Sequence, residues 1–245
     1  MKALIDGDTP VFAAAICSQD KEEWVAYARL DSSIQRIIEE SGCSEYQIYV
    51  SGGVNFRYKV DPSYKANRPK EDPEHRQACK RYLIDHWNAI ETDGYEADDA
   101  VGCEQTKDTI ICGIDKDLLM IPGKHYQWPI IRKDKVIKEG KFWEVSEEEG
   151  MKRFFTQMLT GDRNDNIGTW FDETSKTWKK NPWLLSPAKA ELALSICHSE
   201  ETMYEVVKNM YIEVDREEDF NKNLDLLWIW RLYGETYNVR KEALF

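Results

Sequence analysis

The chain has no long apolar run. None of its hydrophobic stretches approaches the roughly 20 residues needed to cross a bilayer, and the N-terminus runs into a strand-like Ala3-Leu4-Ile5 without a basic and apolar leader. A soluble, cytoplasmic protein with no membrane partner is expected. CxxC pairs are also missing. The six cysteines (Cys17, Cys43, Cys79, Cys103, Cys112 and Cys197) are scattered among apolar neighbours, which reads as buried free thiols in a reducing compartment and not as a zinc framework. Histidine is scarce, and His75, His86, His125 and His198 show no ligand spacing. Positive charge is in deficit too: 33 Lys and Arg against 45 Asp and Glu leave a net charge of −12, which argues against a generally basic nucleic-acid binder. It does not exclude DNA, because clustered acids are also what a metal site contributes. Repeats, low-complexity tracts and obvious linkers are absent, while 42% hydrophobic residues in a chain of 245 can bury a substantial core.

What the chain does have is carboxylates in four places: Asp6, then Glu96-Ala97-Asp98-Asp99, then Asp115-Lys116-Asp117, then Asp162 and Asp165. Short apolar runs alternate with helical patterns through the first half, the signature of an α/β fold with a mostly parallel central sheet. Ala3 to Ile5 ends at Asp6, Gln47 to Val50 ends at Ser51-Gly52-Gly53, and Thr109 to Ile114 ends at Asp115. Ligands of open α/β sheets bind beyond the carboxyl ends of strands, so these three ends should face one crevice. Asp98 and Asp99 should open a helix with Val101 on its buried side. Oxygen-rich sites suit hard cations such as magnesium, and two ions roughly 4 Å apart polarise a phosphodiester and neutralise the leaving oxygen. Phosphodiester hydrolysis is the chemistry this pattern points to.

Between these acids lies a basic stretch, Tyr64-Lys65-Ala66-Asn67-Arg68-Pro69-Lys70. A helix is expected to follow, capped by Asp72 with Pro73 in its first turn; Cys79, Tyr82, Leu83, His86, Trp87 and Ile90 recur at helical spacing and Arg76, Lys80 and Arg81 oppose them. Lys124 to Ile131 and Lys135 to Trp143 read as strands around a turn. Ser146 and Glu149 form a capping box ahead of Met151, Phe154, Phe155, Met158 and Leu159, a helix that delivers Gly161-Asp162-Arg163-Asn164-Asp165-Asn166. From Ser186 onward the pattern is helical. The expected division is an α/β core over 1–145, with an arch at about 64–90, and a helical DNA-binding region over 146–245.

The order DGD, YKANR, EADD, DKDLL and GDRNDN resembles the 5′ nuclease superfamily, the flap endonucleases and 5′ to 3′ exonucleases. Val54-Asn55-Phe56-Arg57 followed by Val60 to Arg68 is similar to the small phage-encoded exonucleases of that group, and the match covers roughly residues 3 to 166. The resemblance implies a PIN-like 5′ nuclease fold with a helical arch and a helical C-terminal region, two Mg2+ or Mn2+ ions, and hydrolysis of DNA at 5′ ends, flaps or nicks. It implies that Asp6, Glu96 and Asp98 hold one metal and Asp115, Asp117 and Asp162 the second, with Asp99 and Asp165 at the edge of these shells. Asp98 and Asp115 would be indispensable to catalysis. Lys65 and Arg68 match the family's basic gateway, where a cation stabilises charge on the scissile phosphate. Tyr64, Lys65, Arg68, Lys70, Arg76, Lys80, Arg81 and Lys189 would contact DNA, with Tyr64 or Tyr82 stacking on a base. A monomer in a phage-infected host cytoplasm, with RNA in hybrids as a further substrate and replication proteins as partners, completes the expectation.

Two departures stand out. The family's aspartate at the end of the second strand is replaced by Ser51, leaving the serine hydroxyl or a water to fill its place. The glycine-rich helix-hairpin-helix that grips duplex DNA and a potassium ion is also missing: no glycine lies between Gly168 and Gly234, and Thr169 to Leu185 reads as a Trp- and Lys-containing loop. That leaves a potassium site in question. Two other readings remain. Leu4-Ile5-Asp6-Gly7-Asp8-Thr9 also resembles the nucleophile motif of haloacid-dehalogenase-type phosphatases, which would need a strand ahead of Gly161-Asp162. A nuclease-like fold that only binds DNA is the third.

Overall fold

The structure is a computed structural model describing residues 1–69, 71–132 and 135–244. In chain order the elements are β1 (Lys2–Asp6), α1 (Asp8–Ile16), α2 (Glu23–Ser41), β2 (Glu45–Val50), α3 (Arg57–Val60), α4 (Arg76–Trp87), β3 (Ile90–Glu91), α5 (Ala97–Glu104), β4 (Thr109–Cys112), β5 (Gly123–Gln127), β6 (Ile130–Arg132), β7 (Lys135–Lys138) and β8 (Lys141–Val145). They continue through α6 (Glu147–Thr160), β9 (Thr169–Asp172), β10 (Thr177–Lys180), α7 (Pro187–Ala193), α8 (Glu200–Glu213), α9 (Glu217–Leu227) and α10 (Tyr237–Leu244). Two compact units share the chain. The first holds residues 1–55, 70–145 and 231–233; the second holds 56–69, 146–230 and 234–245.

The first unit is built on a six-stranded sheet of order β3-β2-β1-β4-β5-β8, parallel except for β8. Alternate side chains of a strand point to opposite faces, so β1 sends Ala3 and Ile5 into one core and Leu4 to the other face. Ala3 and Ile5 pack with Leu30, Ile34 and Ile37 of α2, Ile48 and Val50 of β2, and Cys79 and Leu83 of α4. Asp6 ends the central strand β1, and the register places Tyr49 of β2 opposite it. Gly7 then turns into α1 where no side chain fits, since an added Cβ would lie 2.8 Å from the Tyr49 carbonyl oxygen.

The helix expected from Asp72 begins at Arg76. His75 takes a left-handed conformation (φ 66°) and the Arg76 amide bonds the Pro73 carbonyl, while Asp72 accepts from the Arg76 and Gln77 side chains. Nor does α4 stand free as an arch. Its apolar stripe is part of the sheet's core, Tyr82 stacks on Tyr27 at 4.4 Å, and Tyr82 and Trp87 both donate to Asp31 of α2. Of the six thiols, which form no disulfide, Cys79, Cys112 and Cys197 are buried, Cys43 and Cys103 are half-buried, and Cys17 at the end of α1 is exposed. Among the described residues no helix is long and apolar enough to cross a membrane.

The second unit is helical. Phe154 and Phe155 of α6 pack with Trp228 and Tyr237 at centroid distances of 4.9 to 5.9 Å, and Tyr211 of α8 packs on Phe220 of α9. The Ser146 and Glu149 capping box is present, and the Ser186 hydroxyl caps α7. Arg57 is buried and donates to the carbonyls of Leu226 and Trp228 at 2.9 and 2.7 Å, tying α3 to the end of α9. Where the sequence suggests an irregular loop after Gly168, the structure has a hairpin, β9 paired with β10. Its turn contains no glycine: Asp172 accepts from the Thr174 amide and the Ser175 hydroxyl, and Lys176 takes the left-handed position (φ 51°).

Candidate metal and phosphate site

Three adjacent parallel strands of the first unit end in Asp6 (β1), Ser51 just after β2, and Asp115 three residues beyond β4. Asp6 is the buried member, 7% exposed. Its carboxylate accepts from the Asp8 amide at 3.0 Å and the Thr9 hydroxyl at 3.3 Å. Burial, then the negative charges of Asp8 and Asp115, push its carboxyl from 3.8 up to about 8. A buried acid held among like charges is a group in want of a cation.

Ser51 does more than fill a gap. Its hydroxyl donates to the Asp8 carboxylate, its amide donates to the same group at 3.0 Å, and its hydroxyl oxygen accepts the Ala97 amide at 2.9 Å. Ala97 is the first residue of α5, so the serine pins the acidic helix start to the end of β2. Lys80 of α4 reaches the same point, donating to the Ser51 carbonyl at 2.5 Å and pairing with Glu91 at 2.7 Å. These two roles escape a reading of spacing, because α4 is brought to β2 only by the packing of Cys79 and Leu83. Lys80 thus belongs to the end of the sheet and not to an open basic face. Arg76 and Arg81 on the same helix pair with Asp72 and Asp85.

At the start of α5, Asp99 is fully buried and accepts the Glu96 amide at 3.1 Å, closing the first turn. Its carboxylate thus fixes the helix start that carries Glu96 and Asp98. Glu96 and Asp98 are half-buried, and Asp98 accepts the Asp99 amide at 2.8 Å. Asp115 is exposed and accepts the Asp117 amide at 3.0 Å. The donors are thus carboxylates and one hydroxyl, the hard-oxygen set that suits magnesium or manganese better than zinc. Among the described residues no three Asp, Glu, His or Cys side chains are drawn close enough to enclose an ion.

The second unit carries the other motifs. Asp162 is 3% exposed; it accepts the Asn164 amide at 2.7 Å and the Gln157 side chain at 2.6 Å, while its backbone pairs with Ile167. Asp165 is corrected outright as a ligand candidate. One oxygen bonds Arg68 at 2.5 Å, the other accepts the Tyr64 hydroxyl at 2.9 Å, and its carbonyl accepts the Lys65 amide at 3.0 Å. It clamps the basic loop. Tyr64, 3% exposed, is part of that clamp and offers no face to a base; Tyr82, stacked on Tyr27, is corrected in the same way. Lys65 is half-buried in a left-handed conformation (φ 59°), its ammonium 4.8 Å from the Tyr64 ring. Arg68 remains exposed. Lys189 is exposed in the first turn of α7, and Lys70 lies outside the described residues.

No family model matches the chain. Its fold is similar to solved structures of the bacteriophage T5 enzymes. The T5 5′-exonuclease with bound zinc aligns with a TM-score of 0.61 at 14% identity, covering 93% of this chain and 89% of that one. The T5 flap endonuclease in a pseudo-enzyme-product complex with DNA and metal ions aligns with a TM-score of 0.60 at 13% identity, covering 92% and 88%. At that identity the likeness is one of architecture. The chain shares its fold with the T5 5′-exonuclease and flap endonuclease structures.

Proposed function

We propose that the chain is a divalent-metal-dependent nuclease that hydrolyses DNA phosphodiesters at 5′ ends, flaps or nicks. The observation that carries this reading is the buried Asp6 carboxyl, raised to about 8 beside Asp8 and Asp115 where three parallel strands end. A phosphatase of the haloacid-dehalogenase kind is not favoured, since it would need a strand where α6 stands.

Asp6, Glu96, Asp98, Asp115 and Asp117 of the first unit are the residues we propose as holding magnesium or manganese. Such ions supply a hydroxide at neutral pH and neutralise the charge on the leaving oxygen. The chain's own contribution is preorganisation. Ser51 and the Asp8 carboxylate hold the α5 start, where Glu96 and Asp98 lie, against the end of β2. Lys65 and Arg68, seated by Asp165, orient the phosphate and stabilise charge on it.

The test is product sizing on 5′-flap, nicked and blunt DNA labelled at the 5′ end, with magnesium, with manganese and with EDTA. Metal-dependent mononucleotides or released flap oligonucleotides support the reading, and their ratio tells exonuclease from flap cleavage. Tight DNA binding without cleavage in any divalent metal would leave a binding protein with a nuclease fold.

A further inference from the structure

The hairpin β9–β10 presents aromatic rings and lysines to solvent. In an antiparallel pair, directly opposed residues share a face and successive residues alternate. Trp170 opposes Lys179 on one face; Phe171 opposes Trp178, and Thr169 opposes Lys180, on the other. Trp170 is 44% exposed and Phe171 37%. Phe171 and Trp178 meet edge to face at 5.3 Å, a cross-strand pair that supports the hairpin. Trp170 takes no part in that pair. Across the strands the Lys179 ammonium lies 5.8 Å from its ring centroid.

The surroundings are basic in an acidic protein. Lys176, Lys179 and Lys180 stand against Asp172 and Glu173 in a chain of net charge −12. Lys176 pairs with Glu173 in the open, a pair worth little, and Lys179 pairs with Asp172. Lys180 donates to the Leu185 carbonyl at 2.7 Å. The hairpin is also anchored to the basic loop. The Thr169 hydroxyl donates to the Asn166 side chain, which donates to the Ser63 carbonyl at 2.8 Å, next to Tyr64 and Lys65.

We infer that this hairpin is a contact arm for unpaired nucleotides, on which a base stacks against Trp170 while Lys179, on the same face, meets the backbone phosphate. Every base has a π-face, so stacking on an exposed ring with flanking cations grips a single strand without regard to sequence. A paired duplex offers no such face except at its ends. The inference rests on the nuclease reading for its biological setting but not for its test.

Binding of fluorescein-labelled dT15 and of a blunt 15-base-pair duplex is measured by anisotropy in EDTA, so that no turnover is required. Trp170→Ala should weaken dT15 binding on the order of 10- to 100-fold, the range expected for one lost stacked base, with duplex binding changed far less. Trp170→Phe should restore most of it, and urea melting of both variants should match wild type. As a readout needing no variant, 2-aminopurine placed along the single strand should be quenched at one position on binding wild-type protein. Wild-type affinity of Trp170→Ala for dT15, equal losses on dT15 and duplex, or an unquenched 2-aminopurine series would each overturn the assignment. Cleavage by wild type with an indifferent hairpin leaves the nuclease and removes the arm; hairpin-dependent binding with no cleavage does the reverse.

Discussion

The Ser51 hydroxyl donates to the Asp8 carboxylate while accepting the backbone amide of Ala97. One small side chain therefore joins the ends of β1 and β2 to the start of α5. In Ser51→Ala the Ala97 amide and Asp8 both lose a partner, for an expected loss of about 1–3 kcal/mol in urea unfolding. Ser51→Asp sets a second carboxylate against Asp8. It should destabilise the metal-free protein, raise manganese affinity in calorimetry and recover stability when the ion is added. An unchanged affinity would mean that this position is not a ligand.

Asp6 gives the metal-free protein a pH signature. Its folded pKa is raised from 3.8 to about 8, so between those values the folded state holds the proton more tightly than the unfolded one. Its contribution to stability is complete below about pH 4 and is lost as pH rises toward 8, at most on the order of 1.4 kcal/mol per pH unit. Melting in EDTA across that window should show the decline, and Asp6→Asn should flatten it. A divalent ion should do the same for wild type by compensating the charge.

Asp115→Ala and Asp98→Ala are expected to lower cleavage by about 100-fold or more, at least roughly 2.7 kcal/mol of barrier, while far-UV circular dichroism and melting stay near wild type. Asp115 is exposed and Asp98 only half-buried, so neither supports the core. Wild-type rates in both would argue against the assignment.

The Asp165 clamp separates positioning from chemistry. Lys65→Ala should reduce the rate more than DNA affinity. Asp165→Asn should act through Arg68, because it weakens the charge that seats the guanidinium. A double-mutant cycle with Arg68→Gln should give a coupling of about 0.5–3 kcal/mol in the cleavage barrier. Additive effects would show that the two act separately.

Arg57 tests the second unit. Buried and bonded to two carbonyls, it should cost roughly 3–5 kcal/mol when changed to alanine, read as a lower urea midpoint.

Periodicity and motif order made much legible: the strands leading to Asp6, Ser51 and Asp115, the capping box at Ser146 and the helix leading to Asp162. These are local properties, set by alternation, by caps and by the residues that end a strand. The β9–β10 hairpin was not legible, because its turn relies on Asp172 and a left-handed Lys176 where a glycine would have announced it. The start of α4 was misread for a related reason, since Asp72 met the rule for a cap but bonds to side chains instead.

The chain alone determined which residue types are available and where most strands and helices lie, since backbone sterics and the hydrophobic pattern act over a few residues. Only the tertiary structure decided what each carboxylate is used for. Asp99 closes its own helix, Asp165 seats Arg68 and Tyr64, and Asp6 is left buried among like charges. A carboxylate's role depends on which donor packing brings within about 3 Å of it, and that donor can lie a hundred residues away.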